Sequence, residues 1–213
     1  MKSNIRLTMT ALLLTFAVAA NARFNAAKTD APPVYFGLRA GVGASLYTNI
    51  DDPVALATPI GGIALGFKVA KMPLYLELSA LYMNMGSKVK AWESRHYRRY
   101  DDHHFGTSSD SWQKADRFTI DNHSVMVPIV ATYRFYANDH ITIEPFTGLY
   151  GSYGFGNKRV DFGLREGAAF GFGVLYVNVG VNVGLVGQNR VEKDYWLQDG
   201  QHASLFLGVG LNF

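Results

Sequence analysis

Apolar and non-apolar residues alternate with a period of two in eight segments of this chain. In the segment Leu175–Leu185 every odd position is Leu or Val, and every even position is Tyr, Asn or Gly. Successive side chains of a β-strand point to opposite faces, so this period predicts strands with one apolar face. The eight predicted strands are Tyr35–Tyr47, Gly62–Val69, Leu74–Tyr82, Ser124–Phe135, Ile141–Phe155, Asp161–Phe172, Leu175–Leu185 and Gln201–Phe213.

The connections between the predicted strands alternate in length or polarity. Short connections are predicted at Ala70–Pro73, at Tyr136–His140 and near Gly173. The intervening connections are longer or polar: Asn49–Pro59, Asn84–Asn122, Gly156–Val160 and Gly187–Gly200. Short turns at one rim and longer loops at the other are typical of bacterial outer-membrane barrels. With an even number of strands, both ends of the barrel chain lie on the short-turn side.

The volume of the apolar side chains indicates which face is outside. An eight-stranded barrel leaves an interior just wide enough for side chains or one small ligand. Six large aliphatic residues from each strand would not fit there, whereas the Gly, Ser and Asn face would. We therefore predict an all-β fold, an eight-stranded antiparallel transmembrane β-barrel with short periplasmic turns and longer extracellular loops. A soluble barrel with its apolar face inward is the alternative.

The N-terminus resembles a secretory signal. Lys2 and Arg6 precede a short apolar run, and Ala20-Asn21-Ala22 has the small-x-small pattern of a cleavage site. An uncleaved N-terminal anchor is the alternative. The predicted parts are a cleaved signal peptide at 1–22, a periplasmic linker at 23–33, and the barrel at 34–213 with a long loop at 84–122.

Charge and cysteine content exclude several functions. Removing Lys2 and Arg6 from the 20 basic residues leaves 18, against 17 acidic residues, so the mature chain carries a formal charge of +1. That balance gives no reason to expect nucleic-acid binding. The chain has no cysteine, so disulfides and thiolate metal sites are excluded.

Charged residues of both signs are predicted on the inner face. They are Arg39, Lys68, Glu77, Arg134, Glu144 and Arg165. One interpretation is a polar conduit or proton path. The other is a network of buried ion pairs that fills the lumen, since buried charges need partners and the space is small. A general diffusion pore is not expected, because porins use 16–18 strands.

Glu166 departs from the pattern. It falls on the apolar, lipid-facing set of the sixth predicted strand, where a charge near the midplane is costly. A β-bulge between Arg165 and Gly167 would turn it inward. The sequence leaves its orientation open.

The long loop carries the most distinctive side chains. Aromatic, histidine and arginine residues suggest a partner-binding loop: Trp92, His96, Arg98, Arg99, Tyr100, His103, His104 and Trp112. The partner would be a carbohydrate, a lipid phosphate or a protein. Histidine and aspartate here could also bind a transition metal, and a solvated loop of mixed charge is a further alternative. We predict no cofactor and no metal.

Several short strings resemble the outer-membrane β-barrel family typified by PorT, common in Bacteroidetes. In chain order they are Tyr35-Phe36-Gly37-Leu38-Arg39-Ala40-Gly41, Leu76-Glu77-Leu78-Ser79-Ala80-Leu81-Tyr82, Val127-Pro128-Ile129 with Tyr133, Asp161-Phe162-Gly163-Leu164 and Gly184-Leu185. The closing strand, with its terminal Phe213, also looks like the last strand of an outer-membrane barrel. The resemblance implies an eight-stranded barrel in the outer membrane, as found in Gram-negative bacteria, and no single activity. The even number of strands predicts that both termini are periplasmic. The partners that we predict are outer-membrane lipid and lipopolysaccharide, and the barrel-assembly machinery, which would recognise the C-terminal strand ending at Phe213.

Two histidine–serine pairs are the only candidates for hydrolytic chemistry. His202 and Ser204 share one inward face, and His123-Ser124 lies near a rim. Some outer-membrane lipid A deacylases use such a pair, but their further motif residues are missing and no Ser-His-acid set is identifiable. We therefore predict a non-enzymatic scaffold or surface-loop binding module with a possible envelope protein partner. The alternatives are a lipid A enzyme and an accessory factor of protein secretion.

Overall fold

The computed structural model describes residues 32–48, 53–69, 72–90, 117–138, 140–156, 158–192 and 195–213, and every regular element in these ranges is a β-strand. In chain order they are β1 (Val34–Thr48), β2 (Leu56–Lys68), β3 (Leu74–Asn84), β4 (Ser87–Lys90), β5 (Arg117–Ile120), β6 (His123–Tyr133), β7 (Phe135–Tyr136), β8 (Ile141–Gly154), β9 (Arg159–Phe172), β10 (Leu175–Gly184), β11 (Gln188–Glu192) and β12 (Tyr195–Asn212). No helix in these ranges is long and apolar enough to cross a membrane.

Eight strands close into an antiparallel barrel. The order is β1-β2-β3-β6-β8-β9-β10-β12, and β12 pairs back with β1. Starting at Phe36, the paired residues around the barrel are Leu65, Leu78, Ile129, Leu149, Leu164, Val183, Ala203 and finally Leu46. The path returns to β1 ten residues above its start, since Leu46 follows Phe36 by ten positions. This stagger gives the strands a tilt of about 40°. The predicted fold class is confirmed.

The outer surface of the barrel is apolar. The ring of paired residues that starts at Phe36 consists of Phe, Leu, Ile, Val and Ala, and several of its members are strongly exposed, Leu149 at 60%. On each strand, the residues that alternate with the outward-facing ones point inward, and they include most of the buried Gly, Ser and Asn residues. This arrangement is the reverse of that in a soluble barrel, so the inward and outward sets are those predicted from side-chain volume.

Exposed aromatic side chains lie in two bands on this outer surface. Phe36, Phe67, Phe170, Phe172 and Phe213 form the lower girdle, at the short-turn rim. Tyr82, Tyr153, Phe155 and Phe162 form the upper girdle. Phe162 and Phe170 are eight residues apart on β9, which at this tilt spans roughly 20 Å along the barrel axis. A hydrophobic band of about 25 Å flanked by aromatic girdles is the mark of a transmembrane barrel.

Glycine on the inner face permits the narrow radius. A Cβ added at Gly148 would overlap the Ile129 carbonyl oxygen, and one at Gly62 would overlap the Ala80 carbonyl oxygen. In both cases the obstacle is the backbone of the adjacent strand, which cannot move without breaking the sheet. Another glycine, Gly173, shapes the two-residue turn between β9 and β10, where its φ is +65°. A glycine at the first position of such a hairpin is typical of a type II′ turn.

The structure differs from the predicted boundaries in four places. β2 begins at Leu56 rather than near Gly62, because Pro59 and Gly61 are on its exterior face and hide the alternation. The region predicted as one loop at 84–122 contains the β4–β5 pair, and Gly187–Gly200 contains β11 and the start of β12. β8 ends at Gly154 and β9 begins at Arg159, so one connection at the loop rim is only four residues long.

The register also settles the orientation of Glu166. Pairing of β9 with β8 and with β10 continues without interruption through Arg165, Glu166 and Gly167. The proposed β-bulge is absent there, and Glu166 points to the outer face. Its Cα partners are Thr147 on β8 and Val181 on β10.

An arginine scan of the exterior tests the lipid-facing assignment. Leu149→Arg, between the two girdles, should lower the free energy of unfolding by about 2–4 kcal/mol in phospholipid vesicles. Val34→Arg, on the same outer face but at the lower rim, should cost at most about 1 kcal/mol. Urea unfolding followed by tryptophan fluorescence measures both.

A soluble barrel predicts a different result. An arginine on a water-exposed surface changes stability by about 0.5 kcal/mol or less at either position. Equal, small effects of Leu149→Arg and Val34→Arg would therefore contradict the transmembrane assignment.

Candidate functional site: the filled lumen and the hairpin neck

The lower lumen is organised by a buried ion pair between β1 and β3. Arg39 Nη2 lies 2.9 Å from Glu77 Oε2. The same carboxylate accepts hydrogen bonds from the Tyr35 hydroxyl at 2.5 Å and the Ser79 hydroxyl at 2.9 Å. Arg39 also donates to Asn212 Oδ1 at 2.8 Å on the last strand. The pair thus connects the two strands that close the barrel to β3, and its hydrogen bonds offset the desolvation of both charges.

A second ion pair lies at the lower rim. Arg134 follows β6 and faces β8, where its Nε lies 2.7 Å from Glu144 Oε1. Thr142 donates to the same oxygen at 2.6 Å. The guanidinium carbon of Arg134 is 4.3 Å from the centre of the Tyr75 ring, which adds a cation–π contact.

Arg165 has a different environment in mid-lumen. It makes no ion pair with any described residue; it donates to Asn182 Oδ1 at 2.8 Å, and its guanidinium carbon lies 3.9 Å from the Phe206 ring centre. A cavity of about 20 Å³ adjoins Arg165, Arg39 and Glu77. A cavity needs a volume of roughly 10–15 Å³ to hold one water, so this cavity has room for about one water molecule.

Lys68 lies apart from these buried groups. It is the last residue of β2, is half-buried at the lower rim, and makes no ion pair with the described residues. Of the six charged residues predicted for the lumen, Arg39 with Glu77 and Arg134 with Glu144 are brought together as pairs. Arg165 is buried without a carboxylate at contact distance in the described part of the chain.

The upper lumen holds a chain of polar contacts across four strands. Asp161 Oδ2 accepts from the Tyr150 hydroxyl at 3.3 Å, and that hydroxyl is 3.4 Å from His202 Nδ1. His202 Nε2 is 3.2 Å from Ser45 Oγ. We call Asp161, Tyr150, His202 and Ser45 the upper relay. All four side chains are buried, Ser45 and His202 completely.

The upper relay replaces the predicted pairing of His202 with Ser204. Ser204 instead accepts from Asn182 at 2.9 Å. His123 and Ser124 are also separated, since Ser124 points inward while His123 faces out, 2.7 Å from the Tyr82 hydroxyl. The sequence predicts an inward position for His202, and Ser45 lies on the same face of β1 as the inward Arg39. Their contact follows from the closure of β1 on β12, which the sequence does not specify.

The long loop leaves the barrel through a structured neck. We define the hairpin neck as residues 84–87 and 120–122, which comprise the first residue pair of β4–β5, Ser87 with Ile120, and the residues that join this pair to the barrel. Asn84 accepts at Oδ1 from the backbone N–H of Gly86 at 3.1 Å and of Asn122 at 2.9 Å, and its Nδ2 donates to Asp121 at 2.8 Å. The Asn84 side-chain amide therefore forms hydrogen bonds with residues of both segments of the neck, 84–87 and 120–122.

The hairpin neck is also fastened to the barrel wall. The Asn84 backbone N–H donates to Thr58 Oγ1 at 2.7 Å on β2, and Ser45 of the upper relay donates to the Gly86 carbonyl at 2.7 Å. Beyond the neck, Val54 and Lys88 exchange two backbone hydrogen bonds of 2.8 and 2.9 Å. Met85 and Ile120 are fully buried. The neck therefore packs onto the top of the lumen, where it lies against Ser45 of β1 and Thr58 of β2.

The predicted partner-binding residues all lie beyond the neck. Trp92, His96, Arg98, Arg99, Tyr100, His103, His104 and Trp112 are outside the described residues. So are the predicted signal peptide and most of the predicted linker at 23–33. Among the residues that the structure does describe, no group of three His, Asp or Glu side chains is placed to hold a metal ion.

These features limit the chemistry of the described part. Ser45 and His202 form a serine–histidine contact. However, Ser45 is fully buried below the hairpin neck, and its hydroxyl donates a hydrogen bond to the backbone carbonyl of Gly86. An acyl substrate has no access to that oxygen. The closed sheet, the apolar girdled exterior and the charged but filled interior together define a transmembrane β-barrel.

Comparison with known proteins adds little beyond the fold. No protein-family model matches the chain, and no curated protein matches it. Among solved structures, the Neisserial surface protein A is 10% identical, with 85% of this chain and 98% of that chain covered and a TM-score of 0.47. The outer-membrane enzyme PagL is 17% identical, with coverages of 82% and 97% and a TM-score of 0.46.

A third similar structure is Ail, the attachment invasion locus protein of Yersinia pestis, in complex with the heparin analogue sucrose octasulfate. It is 14% identical, with 85% of this chain and 100% of that chain covered and a TM-score of 0.41. Likenesses this weak carry no inference about activity, binding or membership of the PorT family.

Breaking the Arg39–Glu77 pair should be strongly destabilising. Glu77→Gln keeps the side-chain shape but leaves the buried Arg39 charge without its partner, which we expect to cost about 3–5 kcal/mol in urea unfolding. Lys68→Gln, at the rim and outside any described pair, is the matched control and should change stability by about 0.5 kcal/mol or less.

The double variant Arg39→Met/Glu77→Met separates pairing from packing. It removes both charges together, so it should be more stable than Glu77→Gln alone. A double variant that loses as much stability as Glu77→Gln, or more, would mean that the charges do not compensate each other.

The hairpin neck should depend on the Asn84 amide. Asn84→Ala removes three side-chain hydrogen bonds, so amide hydrogen exchange at residues 87–90 and 117–120 should accelerate by about tenfold or more. Asn138→Ala is the control, because Asn138 accepts from the N–H groups of His140 and Ile141 at the opposite rim. Unchanged protection of the β4–β5 pair in Asn84→Ala would contradict this role of the neck.

Proposed function

We propose that this protein is a non-enzymatic barrel of the Gram-negative outer membrane that holds a partner-binding hairpin at the cell surface. The hairpin neck carries this proposal. A loop that served only as a spacer would need no buried, hydrogen-bonded base, whereas the base here is joined to β2, to the upper relay and to the segment before β2. Such an anchor fixes the direction in which the β4–β5 hairpin leaves the barrel.

The position of the first and last described residues supports an extracellular hairpin. Residues Pro32 and Phe213 lie at the lower rim, and the hairpin leaves from the upper rim. Outer-membrane barrels carry their short turns on the periplasmic side and their longer loops outside. Together with the signal sequence predicted at the N-terminus, this arrangement supports periplasmic termini and a hairpin in the extracellular medium.

The composition of the segment beyond the neck supports a binding role. Residues 91–116 contain both tryptophans of the predicted loop site, together with Arg98, Arg99 and Tyr100. Trp, Tyr and Arg are the residues that contribute most to binding at protein interfaces, and Arg also binds anionic sugars and phosphates. We infer that the partner is an envelope or surface protein, or an anionic surface polysaccharide.

The filled lumen favours this function over transport. Ion pairs and a cation–π contact occupy the lower and middle levels, the upper relay and Met85 occupy the top, and the cavity beside Arg165 has room for about one water. The interior therefore acts as a rigid filling that supports the hairpin. Its charges belong to that filling and not to a conduit.

Excision of the loop tests the proposal directly. Lys90 and Arg117 are the last paired residues of the β4–β5 hairpin, so residues 91–116 can be replaced by Asn-Gly, which closes a two-residue hairpin. A photo-reactive residue at Tyr100 in the intact chain, crosslinked in cells and analysed by mass spectrometry, identifies the partner. We expect one reproducible adduct, and loss of binding to that partner in the excised variant, which should still fold.

Point variants and lipid A analysis complete this experiment. Arg98→Ala/Arg99→Ala/Tyr100→Ala should weaken binding at least tenfold, whereas Ser108→Ala/Ser109→Ala in the same segment should not. Full binding by the excised variant would sink the proposal. Altered lipid A in a deletion strain, restored by the wild-type chain, would instead favour the enzymatic alternative.

A further inference from the structure

The position of Glu166 on the outer surface requires an explanation. It lies four residues from Phe162 of the upper girdle and four residues from Phe170 of the lower girdle, on the same strand. Its side chain therefore leaves the barrel at the middle of the apolar band. A carboxyl group at that depth has no hydrogen-bond donor in lipid, and an unsatisfied polar group in hydrocarbon is costly.

The described chain does not satisfy this carboxyl group. Glu166 is only 9% exposed, and its Oε1 is buried without a hydrogen-bond partner among the described residues. Thr147, its Cα neighbour on β8, also makes no described side-chain hydrogen bond. A donor and an acceptor therefore lie side by side in the apolar band, and neither is used.

The surroundings of Glu166 allow another backbone to approach. Beside it are Thr147, Ala168 and Pro145, which are small or compact and half-buried, whereas most of the remaining band carries Leu, Val, Ile or Phe. We call Pro145, Thr147, Glu166 and Ala168 the Glu166 face. Small residues let membrane-spanning elements pack closely, and polar side chains then bond across the contact.

The Glu166 face is complementary to itself. Glu166 and Thr147 are directly opposite on adjacent strands, so at this tilt they differ in depth by only about 3 Å. A two-fold axis along the membrane normal leaves each residue of the second copy at the same membrane depth as in the first. It reverses the left-to-right order of the residues on the facing surface. An axis midway between the two residues therefore brings Glu166 of each copy to Thr147 of the other, and forms two equivalent hydrogen bonds.

We propose that this protein forms a two-fold dimer in the membrane through the Glu166 face, with the hydroxyl of Thr147 in one copy donating to the Glu166 carboxyl group of the other. A second copy fits better than an unrelated partner because this chain supplies the missing donor at the required depth. The dimer would also set two surface hairpins side by side. The inference rests on the membrane position of the barrel and not on what the hairpin binds.

Conservative pairs of variants test the hydrogen bond. The mature chain is reconstituted in phosphatidylethanolamine–phosphatidylglycerol vesicles, and dimerisation is measured by energy transfer between labelled copies over a range of protein-to-lipid ratios. Glu166→Leu and Thr147→Val should each weaken association roughly tenfold. Glu166→Gln and Thr147→Ser keep a hydrogen-bonding group, so they should remain within about threefold of the wild type.

Single cysteines locate the interface in cells. Because the chain has no cysteine of its own, Ala168→Cys and Leu65→Cys each introduce one thiol, at the Glu166 face and on β2 at the opposite side of the barrel. Oxidation should give disulfide-linked dimers of Ala168→Cys and not of Leu65→Cys.

Several results would overturn the proposal. They are a monomer at every protein-to-lipid ratio, wild-type dimerisation of Glu166→Leu, equal crosslinking of the two cysteine variants, or an Ala168→Cys adduct with a different protein. Gel migration of unheated samples reports whether each variant is a folded barrel. A chain that does not insert into vesicles fails that control, which separates failure of the membrane assignment from failure of the dimer.

Discussion

Closure of β1 on β12 is the constraint on which the rest of this structure depends. Twelve residue pairs join the two strands, and they leave no open edge in the eight-stranded sheet. Every backbone group of the wall can then be paired within the sheet, and only under that condition can the outer face be apolar and lie in lipid. The same closure at a stagger of ten residues sets a narrow radius, and that radius determines which side chains fit inside.

The narrow radius explains why the lumen combines glycine with charge. Where adjacent backbones come close, as at Gly148 and Gly62, no side chain fits. Elsewhere the interior must be filled by groups that reach across it, and the Arg39–Glu77 and Arg134–Glu144 pairs do so with several hydrogen bonds each. A buried ion pair is weak as a source of stability, but it is specific, because loss of either partner leaves a charge without compensation. These pairs therefore favour one strand register over its neighbours.

The sequence predicts the strands and their faces well where one physical rule dominates. In Leu175–Leu185 the outer positions are all aliphatic, so the period of two is unbroken and the strand is recovered almost to the residue. At the start of β2, Pro59 and Gly61 occupy exterior positions, and the same rule fails.

The β4–β5 pair was missed for another reason. Its four-residue strands are separated by 26 residues, 91–116, and the local sequence pattern does not indicate pairing at that distance. The contact of His202 with Ser45 and that of Asn84 with Asp121 depend on register in the same way. For each of them the sequence gives an inward or rim position but not the neighbour.

Glu166 and the hairpin neck place unusual polar groups outside the closed wall, at the lipid-facing surface and at the upper rim. The wall of a closed barrel needs no partner for its backbone, so an outward carboxyl group at mid-depth cannot be attributed to the stability of the wall. The hydrogen bonds of Asn84 cannot be attributed to the stability of the wall either, because they lie above the lumen and join residues on both sides of the loop base. The hydrogen bonds of Asn84 order a part of the molecule that faces solvent, whereas Glu166 leaves an unpaired carboxyl group on the part that faces lipid. If two barrels associate through the Glu166 face, the necks of both copies fix the relative direction of their hairpins. The binding surface would then be a pair of hairpins, and its affinity for a repetitive partner would exceed that of a single hairpin through effective concentration.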